Sequence, residues 1–434
     1  MTALAPVSEW ITSTFREPTP PPVKGWPAIA NGDHTLILAP TGTGKTLSAF
    51  LWALDRLAVD PVPEDPLTRT RVLYLSPLRA LAVDVEKNLR APLQGIGFAA
   101  ERAGSDVHTP TVGIRSGDTP TKERRQLIRH PPDILITTPE SLYLMLTSKA
   151  RETLTNVQHI IIDEIHAIAG TKRGAHLMLS LERLEELTIK PAQRIALSAT
   201  QRPLDEIARF LGGNVVADDG TLTPRPVTVV DTGARKVLDI EVVVPIEDMG
   251  ALGERVEPPI DGPAAASPGR RSIWPSMHPH LLELVESHRS TLIFSNARRL
   301  SERLASRLNE LSIEAKARNS DVLLPPPQVV GGAGDEQVGR GAIEGEELVK
   351  AHHGSLSRER RLQVEDELKR GELKGLVATS SLELGIDMGA VDLVIQVASP
   401  GSVASGMQRI GRAGHQVGQP SRGKIFPKHR ADLL

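Results

Sequence analysis

One short segment has the residue types and spacing that hold a chain of phosphates. Residues 40–46 read Pro-Thr-Gly-Thr-Gly-Lys-Thr, after an apolar run and before the helical pattern LSAFLWALDRL. In such a P-loop, backbone N–H groups and a helix N-terminus receive phosphates, the lysine reaches the outer phosphates and the hydroxyl ligates Mg²⁺. We therefore predict that Lys45 and Thr46 bind ATP and Mg²⁺. The loop around the phosphates would consist of Thr41, Gly42, Thr43 and Gly44.

Two adjacent carboxylates follow another apolar run. Asp163 and Glu164 come directly after the isoleucines at 160–162. We expect Asp163 to hold Mg²⁺, directly or through water, and Glu164 to orient and activate the attacking water. A solvated acidic pair at a strand end is the alternative, and the P-loop upstream favours catalysis. His166 would link this site to the next motif rather than ligate a metal, because no second cluster of metal ligands accompanies it.

Short apolar runs that alternate with helical patterns must position these groups. Runs buried on both faces predict a parallel sheet covered by helices, with ligands at the carboxyl ends of the strands. The predicted strands of the first series cover residues 35–39, 72–75, 134–137, 159–162 and 194–197.

A second series begins where the pattern breaks at TLTPRP, residues 221–226. We therefore predict two tandem α/β parallel-sheet domains, 1–225 and 226–434. The second series has predicted strands at 227–230, 239–244, 291–294, 375–379 and 391–397, and helices at 297–311 and 358–369. Residues 258–270 and 323–345 fit neither sheet and are expected to be mobile surface loops, with a partner-binding insert as the alternative for the second.

Composition excludes several classes of protein. Lys and Arg total 51 against 53 Asp and Glu, so any contact with nucleic acid must be local. The absence of cysteine excludes disulfides, thiolate zinc sites and cysteine-ligated iron–sulfur clusters. The N-terminus has no signal-peptide pattern, and no segment is long enough to cross a bilayer. We expect a cytoplasmic protein without a membrane partner.

The acidic motif resembles a known family of motors. Asp-Glu-Ile-His at 163–166, followed by Ser-Ala-Thr at 198–200, resembles motifs II and III of superfamily 2 helicases. This resemblance implies that His166, Ser198 and Thr200 couple ATP hydrolysis to movement.

Two further segments of the first domain resemble the motifs that contact the phosphates of a single strand. Ser-Pro-Leu-Arg-Ala-Leu at 76–81 resembles motif Ia, and Thr-Thr-Pro-Glu-Ser-Leu at 137–142 resembles motif Ib. The resemblance implies that Arg79 and Thr138 contact the strand.

The second domain also has segments that resemble helicase motifs. Residues 294–298 resemble motif IV, 351–356 a histidine-containing segment that grips the strand, and 379–387 motif V. A histidine pair can also be a metal fragment or an ordinary polar loop, but no third ligand is nearby. The strand contacts that the resemblance implies are Ser295, Arg298, His353, Gly354, Thr379 and Ser380. The nucleotide contacts are Ile386 and Asp387.

Gln-Arg-Ile-Gly-Arg-Ala-Gly-His at 408–415 resembles motif VI. An arginine of this motif stabilises charge on the transferred phosphoryl group, an effect of about 10³ to 10⁵ in rate, and Arg412 is our candidate. Arg409 and His415 are expected to contact the nucleotide. His415 stands where many superfamily members have a second arginine.

These motifs together resemble the large-helicase-related (Lhr-type) family of DNA helicases. The resemblance implies two RecA-like domains that form a helicase motor core, with ATP and Mg²⁺ as cofactors. It also implies an ATPase stimulated by single-stranded DNA, movement from 3′ to 5′, unwinding of duplexes that include RNA:DNA hybrids, and a role in DNA repair. Protein partners stay unknown.

The chain departs from the family pattern in three places. One is the insert at 323–345, which separates motif IV from the His352 segment by more than the family pattern needs. Pro22 stands where the adenine-reading glutamine is expected, and the chain reaches only Leu434, whereas Lhr-type proteins continue into a winged helix. We therefore expect a motor core. The alternatives are a translocase without strand separation, an ATP-gated clamp and a DEAD-box RNA helicase.

Overall fold

The computed structural model describes residues 5–15, 17–40, 43–105, 107–199, 203–233, 237–256, 269–270, 272–318, 328–329, 338–339, 347–383, 391–414 and 420–433. The chain divides into two compact units, Met1–Arg235 and Lys236–Leu434. The division falls ten residues after the predicted boundary at 225, since 235 − 225 = 10.

A parallel sheet forms the centre of unit 1. The described strands of the unit are β1 His34–Leu38, β2 Val72–Leu75, β3 Val112–Arg115, β4 Ile134–Thr137, β5 His159–Ile162, β6 Gln193–Ser198, β7 Asn214–Val216, β8 Leu222–Pro224 and β9 Val227–Asp231. Strands β7 and β8 form a separate antiparallel hairpin. The strand order is β3-β4-β2-β5-β6-β1-β9. The predicted parallel sheet is confirmed, and β3 is a strand that the apolar pattern did not indicate.

Helices cover both faces of this sheet. They are α1 Ala5–Thr14, α2 Pro20–Ala30, α3 Lys45–Val59, α4 Arg79–Arg102, α5 Thr121–Arg129, α6 Pro139–Leu146, α7 His166–Ala169, α8 Lys172–Leu187 and α9 Leu204–Gly212. In β1, Ile37 packs into the core beneath α1 to α4, whereas Leu36 and Leu38 pack into the core beneath α6, α8 and α9. Because successive strand residues face opposite sides, burial of both faces produces the continuous apolar runs of the sequence.

Strand β9 belongs to unit 1, so its predicted place in the second domain is wrong. It pairs in parallel with β1, with Leu38 opposite Asp231. Just beyond it, the N–H and Oγ1 of Thr232 both donate to the Leu38 carbonyl, at 3.1 and 2.9 Å. A break in the local pattern marks a turn, but it does not tell which sheet the next strand joins.

The start of β6 carries a fully buried arginine. Arg194 donates from Nη1 to Glu182 Oε1 at 2.9 Å and from Nη2 to Glu185 Oε2 at 2.6 Å. Both glutamates lie on α8, and Arg225 also pairs with Glu182. The buried charge is therefore compensated, as burial of an arginine requires.

Unit 2 has its own parallel sheet. The described strands are β10 Leu238–Val242, β11 Arg255–Val256, β12 Gly269–Arg270, β13 Thr291–Phe294, β14 Gln328–Val329, β15 Val338–Gly339, β16 Val349–His352, β17 Gly375–Ala378, β18 Leu393–Val397 and β19 Ser421–Phe426. The sheet order is β10-β19-β18-β13-β17-β16. The pairs β11·β12 and β14·β15 are short and antiparallel. Most of 258–270 and 323–345, the expected loops, lies outside the described residues.

The helices of unit 2 are α10 Trp274–Ser287, α11 Arg298–Arg318, α12 Arg358–Arg370 and α13 Val403–Ile410. Leu281 of α10 and Leu308 of α11 share one core with Ile293 and Val377 of the sheet. Within the described ranges of both units, no helix is long and apolar enough to cross a membrane.

Candidate functional site

Three motifs of unit 1 meet at the carboxyl edge of its sheet. The P-loop follows β1, the acidic pair follows β5 and Ser198 ends β6. The strands lie side by side in the order β5, β6, β1, with Ile162 opposite Ala196 and Leu38 opposite Ser198. Residues far apart in sequence thus come together at one edge of the sheet, where ligands of parallel sheets bind.

Lys45 lies in the first turn of α3 and is buried. Its Nζ donates to both carboxylate oxygens of Glu164, at 3.0 and 3.1 Å. The side chains are only 6% and 4% exposed, so each charge depends on the other for compensation. Gly44, with φ of 80°, ends the loop in the left-handed conformation that glycine adopts without strain. In this structure the P-loop lysine is therefore held by the predicted catalytic base.

The backbone at Glu164 is strained. Its φ is 44°, and a side chain in this region costs about 1–3 kcal/mol unless its surroundings enforce the conformation. The Glu164 N–H donates to Asp163 Oδ1 at 2.9 Å, and the Tyr74 hydroxyl donates to Asp163 Oδ2. Strain of this kind clusters at functional sites, which supports a role for this turn.

Asp163 is fully buried, and this raises the pKa of its carboxyl to about 6, with the negative charge of Glu164 acting in the same direction. Burial and the neighbouring Asp163 likewise raise the pKa of the Tyr74 hydroxyl well above its usual value. Tyr74 thus remains a hydrogen-bond donor to the carboxylate. No sequence motif indicated this tyrosine, which lies inside the predicted strand β2 as one apolar residue among others.

Two oxygen-bearing side chains at this edge have the chemistry that Mg²⁺ prefers. Asp163 offers a carboxylate and Thr46 a hydroxyl, and each carboxylate oxygen can accept more than one interaction. Among the residues that the structure describes, no group of three or more His, Cys, Asp or Glu side chains forms a metal cage. One or two protein oxygens are the usual set for Mg²⁺, which keeps waters and binds phosphates.

His166 connects the acidic pair to β6. Its Nδ1 lies 3.0 Å from Ser198 Oγ, and its Nε2 lies 3.5 Å from Glu164 Oε2. The Ala199 N–H also points at Nδ1, at 3.3 Å. The structure therefore brings two of the three predicted coupling residues together, while Thr200 lies outside the described residues.

The two predicted strand-contacting residues of unit 1 follow neighbouring strands, β2 and β4. Arg79 is exposed, and its Nη1 donates to Asp118 Oδ1 at 2.5 Å. Thr138 is buried and caps α6, accepting a hydrogen bond from the Ser141 N–H at 3.4 Å. Arg79 is thus available to a phosphate on the surface, whereas the Thr138 hydroxyl is engaged in the helix cap.

In unit 2, the predicted strand contacts follow β13, β16 and β17, which are adjacent in the sheet. Arg298, Gly354 and Ser380 are exposed, and Thr379 is half-buried. Arg298 Nη1 donates to Ser355 Oγ at 2.8 Å, beside Gly354. These residues form one exposed polar edge.

Ser295 and His353 lie in the interior of unit 2. Ser295 Oγ donates to the Ala297 carbonyl at 3.1 Å, and His353 Nε2 lies 2.9 Å from Glu302 Oε1. Both side chains are buried, so a side-chain contact with a strand would require them to leave these partners. Their predicted role as strand ligands gains no support from this arrangement.

Glu383 organises the two arginines of motif VI. Arg409 donates to Glu383 Oε2 at 3.0 Å, to Asn296 Oδ1 at 3.1 Å and to Gln396 Oε1 at 2.9 Å. Arg412 Nη2 donates to the Glu383 carbonyl at 2.9 Å. Arg409 Nε also donates to Glu383 Oε2, at 3.2 Å, so all three nitrogens of this guanidinium are engaged within unit 2. The nucleotide contact of Arg409 remains a prediction. The predicted residues outside the described ranges are Thr41, Gly42, Thr200, Ile386, Asp387 and His415.

Comparison with known proteins identifies the class. Residues 19–207 match the DEAD/DEAH box helicase family, and residues 341–416 match the helicase conserved C-terminal domain. A solved structure of Mycobacterium smegmatis helicase Lhr bound to ssDNA and AMP-PNP superposes with a TM-score of 0.80 at 53% identity, over 99% of this chain and 48% of that one. The helicase MrfA, 22% identical with a TM-score of 0.67, shares the fold. The two parallel-sheet units are therefore the RecA-like domains of a helicase core.

Similarity to curated relatives narrows the class from helicases in general to one family. The chain is 56% identical to the Lhr helicase/probable uracil glycosylase of Mycolicibacterium smegmatis, over 98% of this chain and 26% of that protein. It is 40% identical to the ATP-dependent helicase Lhr-Core protein 2 of Thermococcus barophilus, over 99% of this chain and 44% of that protein. The chain belongs to the Lhr-type helicase family. It spans about a quarter of the first relative and under half of the second.

Proposed function

We propose that this chain is the motor of an ATP-dependent DNA helicase whose ATP hydrolysis is stimulated by single-stranded DNA. The observation that carries the proposal is the convergence of Lys45, Asp163 and Glu164 at one sheet edge. A phosphate-binding lysine, an Mg²⁺-binding carboxylate and a water-activating carboxylate are the groups that phosphoryl transfer to water requires. The M. smegmatis relative, solved with ssDNA and AMP-PNP, supports DNA as the strand.

Each residue then has one role. Lys45 leaves Glu164 to bind the outer phosphates, which frees Glu164 to orient water and accept its proton. Mg²⁺, held by Thr46 and Asp163, would neutralise developing charge on the phosphates. Arg412 would add positive charge to the transferred phosphoryl group.

The strand would run over the exposed polar edges of the units. Arg79 in unit 1 and Arg298 in unit 2 supply positive charge, and Gly354, Thr379 and Ser380 supply close polar contacts. Nucleotide-dependent changes in these contacts would convert hydrolysis into steps along the strand. The family resemblance supports movement from 3′ to 5′, unwinding of RNA:DNA hybrids and a role in DNA repair.

The test is strand displacement of matched duplexes with 3′ or 5′ tails of DNA or RNA, together with ATP turnover. We expect displacement from 3′ DNA tails, and Lys45→Ala should abolish both activities. Turnover that only RNA tails support would refute the DNA assignment, and displacement from 5′ tails would refute the polarity. Turnover without displacement from any tail would identify a translocase instead.

A further inference from the structure

An arginine outside all the predicted motifs bridges the two strand-contacting segments of unit 1. Arg173, the second residue of α8, donates from Nη1 to the Pro77 carbonyl at 2.5 Å. Its Nη2 donates to Glu140 Oε2 at 3.0 Å, and its Nε donates to the other oxygen of the same carboxylate. One guanidinium thus holds the backbone of motif Ia and a side chain of motif Ib.

The bridge lies close to the residues expected to touch the strand. Pro77 is two residues before Arg79, and Glu140 is two residues after Thr138, in the first turn of α6. The backbones of the two segments are joined where the Ser76 N–H donates to the Thr137 carbonyl at 2.9 Å. Arg173 joins them again beyond this point.

Arg173 itself is held firmly. The Thr171 side chain caps α8 by accepting from the Gly174 N–H at 3.1 Å. A Cβ on Gly174 would lie 2.1 Å from the Ile168 carbonyl oxygen, so the start of α8 packs tightly against the end of α7. Helix α7 begins at His166 of the acidic motif. The bridge is therefore anchored on the chain segment that leaves the ATP site.

We propose that Arg173 is a positioning residue for strand binding: through Pro77 and Glu140 it keeps the Arg79 loop and the start of α6 in the spacing that fits one DNA backbone. This inference rests on the strand contacts in the proposed function. A planar guanidinium, with five N–H donors on three nitrogens in a fixed fork, is suited to this task, whereas a lysine ammonium would not reproduce the geometry.

The competing interpretation is that Arg173 binds a phosphate directly, since its side chain is 35% exposed. Removing the charge of Glu140 distinguishes the two interpretations, because they predict opposite changes in DNA affinity. It is an acidic side chain, 57% exposed, near a surface expected to bind a polyanion. If it is only a neighbour of the strand, then removing its charge should strengthen DNA binding. If it anchors the bridge, then the same change should weaken DNA binding.

The experiment measures the Kd for a fluorescent single-stranded DNA, with AMP-PNP and at fixed salt, for Glu140→Gln, Arg173→Ala, Arg173→Lys and the Glu140→Gln/Arg173→Ala double variant. We expect each single change to weaken binding about tenfold, the order of one or two lost phosphate contacts. The double variant should be no weaker than Arg173→Ala, because both changes break one bridge. Hydrogen exchange of residues 76–82 should accelerate in every variant.

The exposed ion pair of Glu206 and Arg209 on α9 provides the matched control. Glu206→Gln and Arg209→Ala should leave exchange at 76–82 unchanged, and thermal unfolding of all variants excludes a folding defect as the cause. Unchanged or tighter DNA binding by Glu140→Gln, or additive losses in the double variant, would overturn the inference. If the wild-type chain fails to bind single-stranded DNA, the proposed function fails and the inference fails with it. If the wild-type chain binds DNA and the variants give either of these two results, the inference alone is refuted.

Discussion

Replacing Glu164 by glutamine should tighten ATP binding while it stops hydrolysis. In the structure Lys45 donates to both carboxylate oxygens of Glu164. In the proposed function this pair breaks when the lysine binds a phosphate. A hydrogen bond with a charged group contributes about 1.5–3 kcal/mol, roughly twice the contribution of a neutral one. Glutamine offers a neutral oxygen, so release of the lysine should cost about 1 kcal/mol less, which is about a fivefold gain in affinity.

Two further effects accompany this change. Loss of the negative charge beside the phosphates favours binding in the same direction. Loss of the general base should lower the rate of hydrolysis by about 10² to 10⁴. Tighter binding and slower turnover from one substitution are a combination that damage to the fold would not produce.

Isothermal titration with AMP-PNP measures the affinity without interference from hydrolysis, and phosphate release measures turnover. Glu186→Gln is the control, because it makes the same chemical change on an exposed position of α8. Weaker or equal AMP-PNP binding by Glu164→Gln would show that the Lys45–Glu164 pair does not oppose nucleotide binding. Turnover at the wild-type rate would remove Glu164 from the reaction.

Three other outcomes are expected. Arg412→Ala should lower kcat by about 10³, and Arg412→Lys should not restore it, because a lysine lacks the guanidinium fork; steady-state turnover within tenfold of wild type would contradict the role of this arginine. Gly174→Ala should destabilise the fold by about 1–3 kcal/mol, because the new Cβ meets a backbone carbonyl. Gly97→Ala in α4, where a Cβ meets nothing within 4 Å, should stabilise it by about 0.5–1 kcal/mol. Urea midpoints that shift in the same direction for both glycines would be incompatible with this reasoning. Burial, with the charge of Arg307 nearby, lowers the pKa of His278 from 6.5 to about 4. The unfolded chain therefore takes up this proton first, and stability should fall as the pH drops from 6.5 towards 4. His278→Gln should flatten this slope in urea titrations at several pH values, and equal slopes for the two proteins would exclude His278 as its source.

Much of the ATP site could be predicted because its signals are local. The P-loop needs seven consecutive residues between a strand and a helix, and the acidic pair needs one apolar run before it. Parallel strands place their carboxyl ends at one edge, so the meeting of Lys45 with Glu164 follows once the sheet is predicted. The predicted strands at 72–75, 134–137, 159–162 and 291–294 match the structure for the same reason.

Features that depend on distant partners could not be predicted in this way. Arg194 opens a strand predicted from its apolar residues, and its burial is tolerable because Glu182 and Glu185 on α8 pair with it and the Leu211 and Gly212 carbonyls accept hydrogen bonds from it. Ser295 has the residue type of a strand ligand, but its hydroxyl is taken by the turn that begins α11. Arg173 lies in no motif, because its importance comes from three-dimensional proximity to Pro77 and Glu140.

The pairing of β9 with β1 decides how far a fragment must extend to keep the strand that leads into the phosphate loop inside its sheet. With β9 in place, the strand that leads into the loop has a neighbour on each side. A fragment cut at Arg225 would leave β1 as an open edge, with unpaired backbone groups that recruit other chains. A fragment that keeps β1 paired on both sides must therefore continue through Thr232, whose two hydrogen bonds to the Leu38 carbonyl extend the β1–β9 pairing.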